Sequence, residues 1–330
     1  MEVTRQGHAT LGRALLGSHS VKVADGGFLA RLQLSMLLAC ALITRPFNYR
    51  GMRRVSIFLG KLFSPQNSAV MSDGQRNLKI YLDDPYWVKY LDGGFSYEKD
   101  MEGVLEKALS QGTVFLDCGA NIGYWSVCAA RRVGAPGRVV AVEATARSFD
   151  RLCENSKLNE GAFTPIKKGI YSQSGLDLEF ETNPFRHGAN SCVRRRGRPG
   201  DPSFQREWVK SITLDDLLKE VLTDDEGARE IVVKLDVEGA EIEAFKGAEE
   251  AVRRGALFIY EDHGRDPSSS ITDFVLNRLG LPVYFIKEDS RLIRIQSLEQ
   301  LRGLKRHDIA YNLATAREDS PVLRRLLQMS

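Results

Sequence analysis

The chain has 330 residues, 43% hydrophobic and 27% charged, so it can bury one large core and has the composition of an ordinary globular protein. A formal net charge of +3 is small for this length and does not call for a nucleic-acid partner. Five cysteines, Cys40, Cys118, Cys128, Cys153 and Cys192, are odd in number and show no paired C-x-x-C, which argues for reduced thiols in a cytoplasmic protein over a disulfide framework. The five histidines are scattered, no sequence-local zinc site can be read, and no metal is assigned.

The first 27 residues are polar and mixed, without the pattern of a secretion signal. Phe28 to Ile43 is apolar, is interrupted by Arg31 and Gln33, and is shorter than the ~20 residues a spanning helix needs. It predicts a helix packed on the main domain. Peripheral membrane contact through residues 28–63 is the alternative, because Arg45, Arg50, Arg53 and Arg54 follow the stretch. Residues 1–69 are read as a helical, basic extension and 70–330 as the main domain.

From residue 70 onward, short β-rich runs alternate with helical patterns, which predicts an α/β fold with a doubly wound, mostly parallel sheet. Strands are expected at Lys79 to Leu82, Val114 to Leu116, Arg138 to Glu143, Pro165 to Ile170, Ile231 to Leu235 and Leu257 to Tyr260. Helices are expected at Asp100 to Leu109, at Tyr124 to Arg132, after a Ser148 cap, and after a Thr213 cap. One more carries Val237, Ala240, Ala244, Phe245, Ala248 and Val252 at helical spacing. Residues 271 to 295 supply a last helix and a terminal hairpin. The pattern breaks at about 183–210, where prolines, glycines and the run Arg194 to Arg198 predict a loop insert.

Several strands end in carboxylates where open α/β sheets bind ligands, at the carboxyl edge. The first strand leads into Asp117-Cys118-Gly119-Ala120-Asn121-Ile122-Gly123-Tyr124, whose small residues let a ligand approach the backbone, with helix amides directed at the same place. A dinucleotide fingerprint would need glycine where Asn121 and Tyr124 stand, and no P-loop lysine is present. A nucleoside held by carboxylates suits the turn better, with Glu143 on the ribose hydroxyls and Asp117 facing a ligand ammonium.

These residues resemble the FkbM-type methyltransferases, a branch of the S-adenosylmethionine-dependent enzymes. The resemblance runs from about Leu78 to Ile286. It rests on Phe115 to Gly123, Asn155, Asn159, Thr213-Leu214-Asp215-Asp216-Leu217, Lys234-Leu235-Asp236-Val237-Glu238-Gly239-Ala240-Glu241, Lys246-Gly247, and Tyr97-Glu98. It implies that S-adenosyl-L-methionine is the cofactor, with its methionine part at the glycine turn, its ribose on Glu143 beside Ala144, its adenine near Gly169 and Ile170, and Tyr97 and Glu98 over the amino-acid end. Asp236 and Glu238 are open to holding the cofactor or orienting the substrate. Ala144-Thr145 departs from the family's usual proline after the acid.

The resemblance also implies methyl transfer to a hydroxyl of a sugar, glycan, polyketide or related metabolite. Such transfer needs in-line alignment and a base. The candidates are Asp236, Glu238, Glu261 and His263, of which the histidine, read as a loop residue, has the best unperturbed pKa. His187, Asn190, Arg194, Arg195 and Arg196 in the insert are the candidates for an acceptor that is anionic, since arginine forks match carboxylate, sulfate and phosphate. A nucleic-acid methyltransferase is disfavoured because no basic module interleaved with aromatics is evident. A non-catalytic membrane scaffold is disfavoured by the intact turn and acid tips.

Overall fold

The structure, a computed structural model, describes residues 19–24, 27–47, 49–182, 191–192, 205–222, 229–307 and 309–329. The chain divides into two units. One comprises Met1–Tyr97 with Lys157–Glu160 and Thr182–Ala189, and the other Glu98–Ser156, Gly161–Glu181 and Asn190–Ser330.

In the first unit β1 (Ser20–Val23) is followed by helices α1 (Phe28–Thr44) and α2 (Met52–Leu62), then by β2 (Ser68–Ser72) and β3 (Asn77–Tyr81). The strands form an antiparallel sheet in the order β1-β2-β3. Alternate residues Ala69 and Met71 of β2 and Leu78 and Ile80 of β3 are buried, the period-two pattern of a sheet with one face in a core. This pairing carries the unit past residue 69 to Tyr97.

Helix α1 continues into a 3-10 turn, Arg45–Phe47, so Phe28–Phe47 is 20 residues long and apolar enough to cross a membrane by length and composition. The apolar segment is thus longer than the sequence reading, which stopped at Ile43. Its burial is also one-sided: Ala30, Gln33, Leu34, Leu37 and Ala41 are buried. A short helix, α3 (Tyr90–Gly93), and a ring cluster of Tyr86, Trp87, Tyr90 and Tyr97 complete the unit.

The second unit starts with α4 (Lys99–Ala108) and continues through β4 (Val114–Cys118), α5 (Tyr124–Val133), β5 (Arg138–Glu143), α6 (Ala146–Leu158), β6 (Thr164–Lys167) and β7 (Gly169–Ile170). After β8 (Asp177–Thr182), β9 (Ser191–Cys192) and β10 (Gln205–Ile212) come α7 (Leu214–Val221), β11 (Ile231–Leu235), α8 (Glu241–Lys246), α9 (Glu249–Arg253) and β12 (Leu257–His263). The chain closes with α10 (Ser270–Asp273), the hairpin β13 (Val283–Ile286) and β14 (Leu292–Ile295), α11 (Leu298–Leu304), β15 (Ala310–Thr315) and α12 (Pro321–Gln328). The main sheet has the order β14-β13-β15-β12-β11-β4-β5-β6. Strands β12, β11, β4, β5 and β6 are parallel, and β15 joins antiparallel to β12 and β13. Every residue of β4 and β11 is buried, as expected of central strands covered on both faces. The order reverses between β4 and β11, so the ligand crevice of such a sheet lies beyond the ends of these two strands.

Several expectations need correction. Ser148 lies inside α6 and does not cap it. Thr213 does cap α7, its Oγ1 accepting from the Asp216 amide at 3.0 Å. The helix expected from Val237 to Val252 is two short helices broken at Gly247, where a Cβ would sit 2.6 Å from the Tyr171 carbonyl oxygen. Part of the insert is strand: β9 pairs with β8, and β10 starts at Gln205. The candidates His187, Asn190, Arg194, Arg195 and Arg196 lie outside the described residues.

Candidate functional site

The turn after β4 is fixed by its own hydrogen bonds. The amides of Gly119 and Ala120 both donate to the Val142 carbonyl, that of Gly123 to Ala120, and that of Asn121 to Glu143 Oε2 at 2.9 Å. These amides serve the turn itself, which narrows the expectation that they face a ligand. Gly119 is required because φ is +79° and a Cβ would lie 1.8 Å from the Asp236 carbonyl oxygen. Asn155 is buried in α6 and donates to the Ile122 carbonyl at 2.8 Å, tying the turn to the next helix.

Glu143 ends β5 beside this turn. Its Oε1 accepts from the amide and the hydroxyl of Thr145, at 2.9 and 2.7 Å. Burial raises its pKa, opposed by these hydrogen bonds and by the charge of Lys234. Each carboxylate oxygen has about two acceptor sites, so Oε1 is filled by Thr145 and Oε2, which accepts from Asn121, keeps one for a ligand hydroxyl. Ala144 packs on Leu178, Phe180 and Val209. Gly169 and Ile170 are both buried in β7, paired with β10, and the Gly169 α-carbon approaches Leu178 so closely that a Cβ would meet it at 2.8 Å.

Asp117 does not point to an open site. It is fully buried, its Oδ2 accepts from Ser126 at 2.6 Å, and Lys234 Nζ lies 3.5 Å from Oδ1. The cation facing it is therefore the chain's own lysine, where a ligand ammonium was expected. Cys118 and Tyr124 are also buried, with the Cys118 thiol pushed up by burial and the Tyr124 ring edge-on to Trp125. Ala120 and Gly123 are buried as well, and Gly119 and Asn121 are the turn residues left partly exposed to line a ligand.

Lys234, which sequence reasoning quoted but gave no role, links the turn to the next strand. Its ammonium is 3.3 Å from Asp236 Oδ2 and 3.4 Å from the Gly119 carbonyl oxygen. Burial disfavours its charge, but the carboxylates of Asp236, Asp117 and Glu98 outweigh that and hold it well above the usual lysine value. A single charged residue in the otherwise apolar strand Ile231–Leu235 was the available signal. Glu98, with φ +46°, opens α4 and takes part in this field, while Tyr97 belongs to the first unit, its hydroxyl 2.6 Å from that of Tyr86.

A second group of acids gathers after β11 and along β12. Glu241 is buried and accepts from the amides of Val237 and Gly239, fixing a loop in which Glu238 takes a left-handed conformation, φ +53°. Burial and the charges of Asp236, Glu261 and Glu241 push the Glu238 carboxyl up to about 9, so it is protonated near neutrality. His263 is the last residue of β12, paired with Ala310 of β15, and so sits in a strand, not in the loop expected. The antiparallel partner extends the ladder that far. Alternation places Glu261 and His263 on one face, with Nε2 3.2 Å from Glu261 Oε2, and their hydrogen bond raises the histidine pKa above 6.5. Asp262, on the other face, is buried against Lys305 and Thr272, at 2.7 and 2.5 Å.

Five parallel strands, a glycine turn closed onto the next strand, an acid at the tip of β5 and a carboxylate cluster at the tip of β11 define a Rossmann-like methyltransferase. The Methyltransferase FkbM domain matches residues 117–280. A methyltransferase of Sordaria araneosa, sdnD, is 30% identical over 46% of this chain and 68% of its own length. The hexuronic acid methyltransferase AglP of Haloferax volcanii is 29% identical over 64% of this chain and 81% of its own length. A solved FkbM methyltransferase from Methylobacillus flagellatus is 16% identical, with a TM-score of 0.37 over 71% of this chain and 54% of that one. The chain belongs to the FkbM methyltransferase family and uses S-adenosyl-L-methionine.

The residues present fit this cofactor. Glu143 Oε2 keeps an acceptor site for a ribose hydroxyl, beside a turn in which Gly119 and Asn121 stay partly exposed.

Proposed function

We propose that the chain methylates a hydroxyl of a sugar or glycan, with His263 as the base. The observation that carries this reading is the His263–Glu261 pair on one face of β12, whose residues interact electrostatically with Asp236 and Glu241. When bound, S-adenosyl-L-methionine supplies an electrophilic methyl group on a sulfonium. His263 would take the hydroxyl proton of the acceptor as its oxygen receives that methyl group. Glu261 holds the ring through Nε2 and stabilises the imidazolium, leaving Nδ1 to take the proton. Glu238, protonated near neutrality, can donate a hydrogen bond that orients the acceptor.

Support for a sugar acceptor is the 29% identity to a hexuronic acid methyltransferase, and Arg194, Arg195 and Arg196 would suit an acidic one. The test is incubation with the cofactor and a panel of hexuronates, neutral sugars and amines, with mass spectrometry and NMR of the products. A methyl ether on a sugar is the expected product. Methylation of nitrogen or carbon alone would overturn the reading.

A further inference from the structure

Helix α1 is apolar on two faces, and the protein covers only one. On the covered face Ala30, Leu34, Leu37 and Ala41 are buried, and Gln33 accepts from Asn67 Nδ2 at 2.8 Å. On the other face Phe28, Leu32, Met36, Ala39, Ile43 and Phe47 recur every three or four residues and are exposed. Phe28 is 78%, Ile43 70% and Phe47 68% exposed, and Phe58 and Leu62 of α2 add 65% and 64%. A continuous apolar row of this kind marks an interaction surface.

The segment that carries it has one sign of charge, and the acid paired with it, Asp92 at 3.9 Å from Arg45, is itself buried. Between residues 26 and 72 the chain has Arg31, Arg45, Arg50, Arg53, Arg54 and Lys61 and no aspartate or glutamate. All six of these basic residues are exposed. We infer that this face docks on an anionic lipid bilayer, with α1 lying in the interface, its apolar row among the acyl chains and the arginines at the headgroups. A second copy of the chain is the weaker occupant, because a twofold contact through this patch would bring the arginine rims of both copies together. A spanning helix would need apolar surface all round, whereas the inner face of α1 holds Gln33 in a protein hydrogen bond.

The test is flotation of the full-length protein with phosphatidylcholine vesicles, with and without phosphatidylserine. Binding is expected only with phosphatidylserine and should weaken as salt is raised. The exposed-face variants Leu32→Glu with Ile43→Glu, and separately Arg53→Gln with Arg54→Gln, should each lower binding on the order of tenfold at unchanged melting temperature. No flotation, flotation untouched by either pair, resistance to alkaline carbonate extraction, or a dimer in light scattering that the Leu32→Glu, Ile43→Glu pair dissolves would each overturn the proposal.

Discussion

His263 and Glu238 are ionisable groups whose surroundings set opposite requirements on pH. The folded pKa of His263 is raised by Glu261, so the neutral imidazole needed as a base accumulates only above the ordinary value of 6.5. Glu238 is protonated until about 9. The expected profile of kcat/KM therefore rises through an inflection above 6.5 and falls again near 9. Glu261→Gln removes the largest cause of the histidine shift and should move the acid limb to lower pH, while Glu238→Gln should abolish the alkaline limb. An acid limb that stays in place in Glu261→Gln would remove His263 from the mechanism.

Lys234 is judged by what it leaves behind. With the ammonium removed, Asp117 remains buried with only Ser126 as a close donor, and uncompensated buried charges of this kind cost about 3–5 kcal/mol. Lys234→Met should lower unfolding stability by that amount in urea titrations. Adding Asp117→Asn removes the stranded charge, so the double variant should recover part of the loss, and strictly additive losses would show that the pair is not coupled.

At the scale of elements, the glycine turn ties strand β4 to β11 and not only to its own helix. Gly119→Ala places a methyl on the Asp236 carbonyl and asks alanine to hold φ +79°, so the two strand ends must separate. A destabilisation of roughly 2–4 kcal/mol is expected, with loss of cofactor affinity. Stability within 0.5 kcal/mol of the parent, a margin about that of a neutral surface change, would show that the turn relaxes without strain.

The turn, the acid tip of β5 and strands β4, β5, β11 and β12 were legible in the sequence because apolar runs ending in acids are local patterns. What was not legible is long-range. The Asp117–Lys234 contact depends on the cross-strand register of Lys234 with Asp117, and the strand placement of His263 depends on β15, some fifty residues later. The break at Gly247 depends on a carbonyl from Tyr171. Helical spacing alone could not reveal it.

For the whole molecule, the residues assigned to the cofactor, apart from Tyr97, lie in the second unit, so ligand binding and stability are linked there. A ligand at a hundred times its dissociation constant adds about 2.7 kcal/mol to the state that binds it. For a unit of this size that corresponds to a rise of roughly 5–10 °C in melting temperature. S-adenosylhomocysteine should produce such a rise in the parent protein. Glu143→Ala should lose most of it, because the carboxylate assigned to the ribose is gone while the strands and the Lys234–Asp117 pair stay in place. Calorimetric titration separates loss of affinity from loss of fold: a folded Glu143→Ala that binds the ligand as the parent does would remove Glu143 from the site. An absent response in the parent itself would count against the cofactor geometry as a whole, since Gly119, Glu143 and the Asp236 loop would then form a closed end of the sheet with nothing to hold.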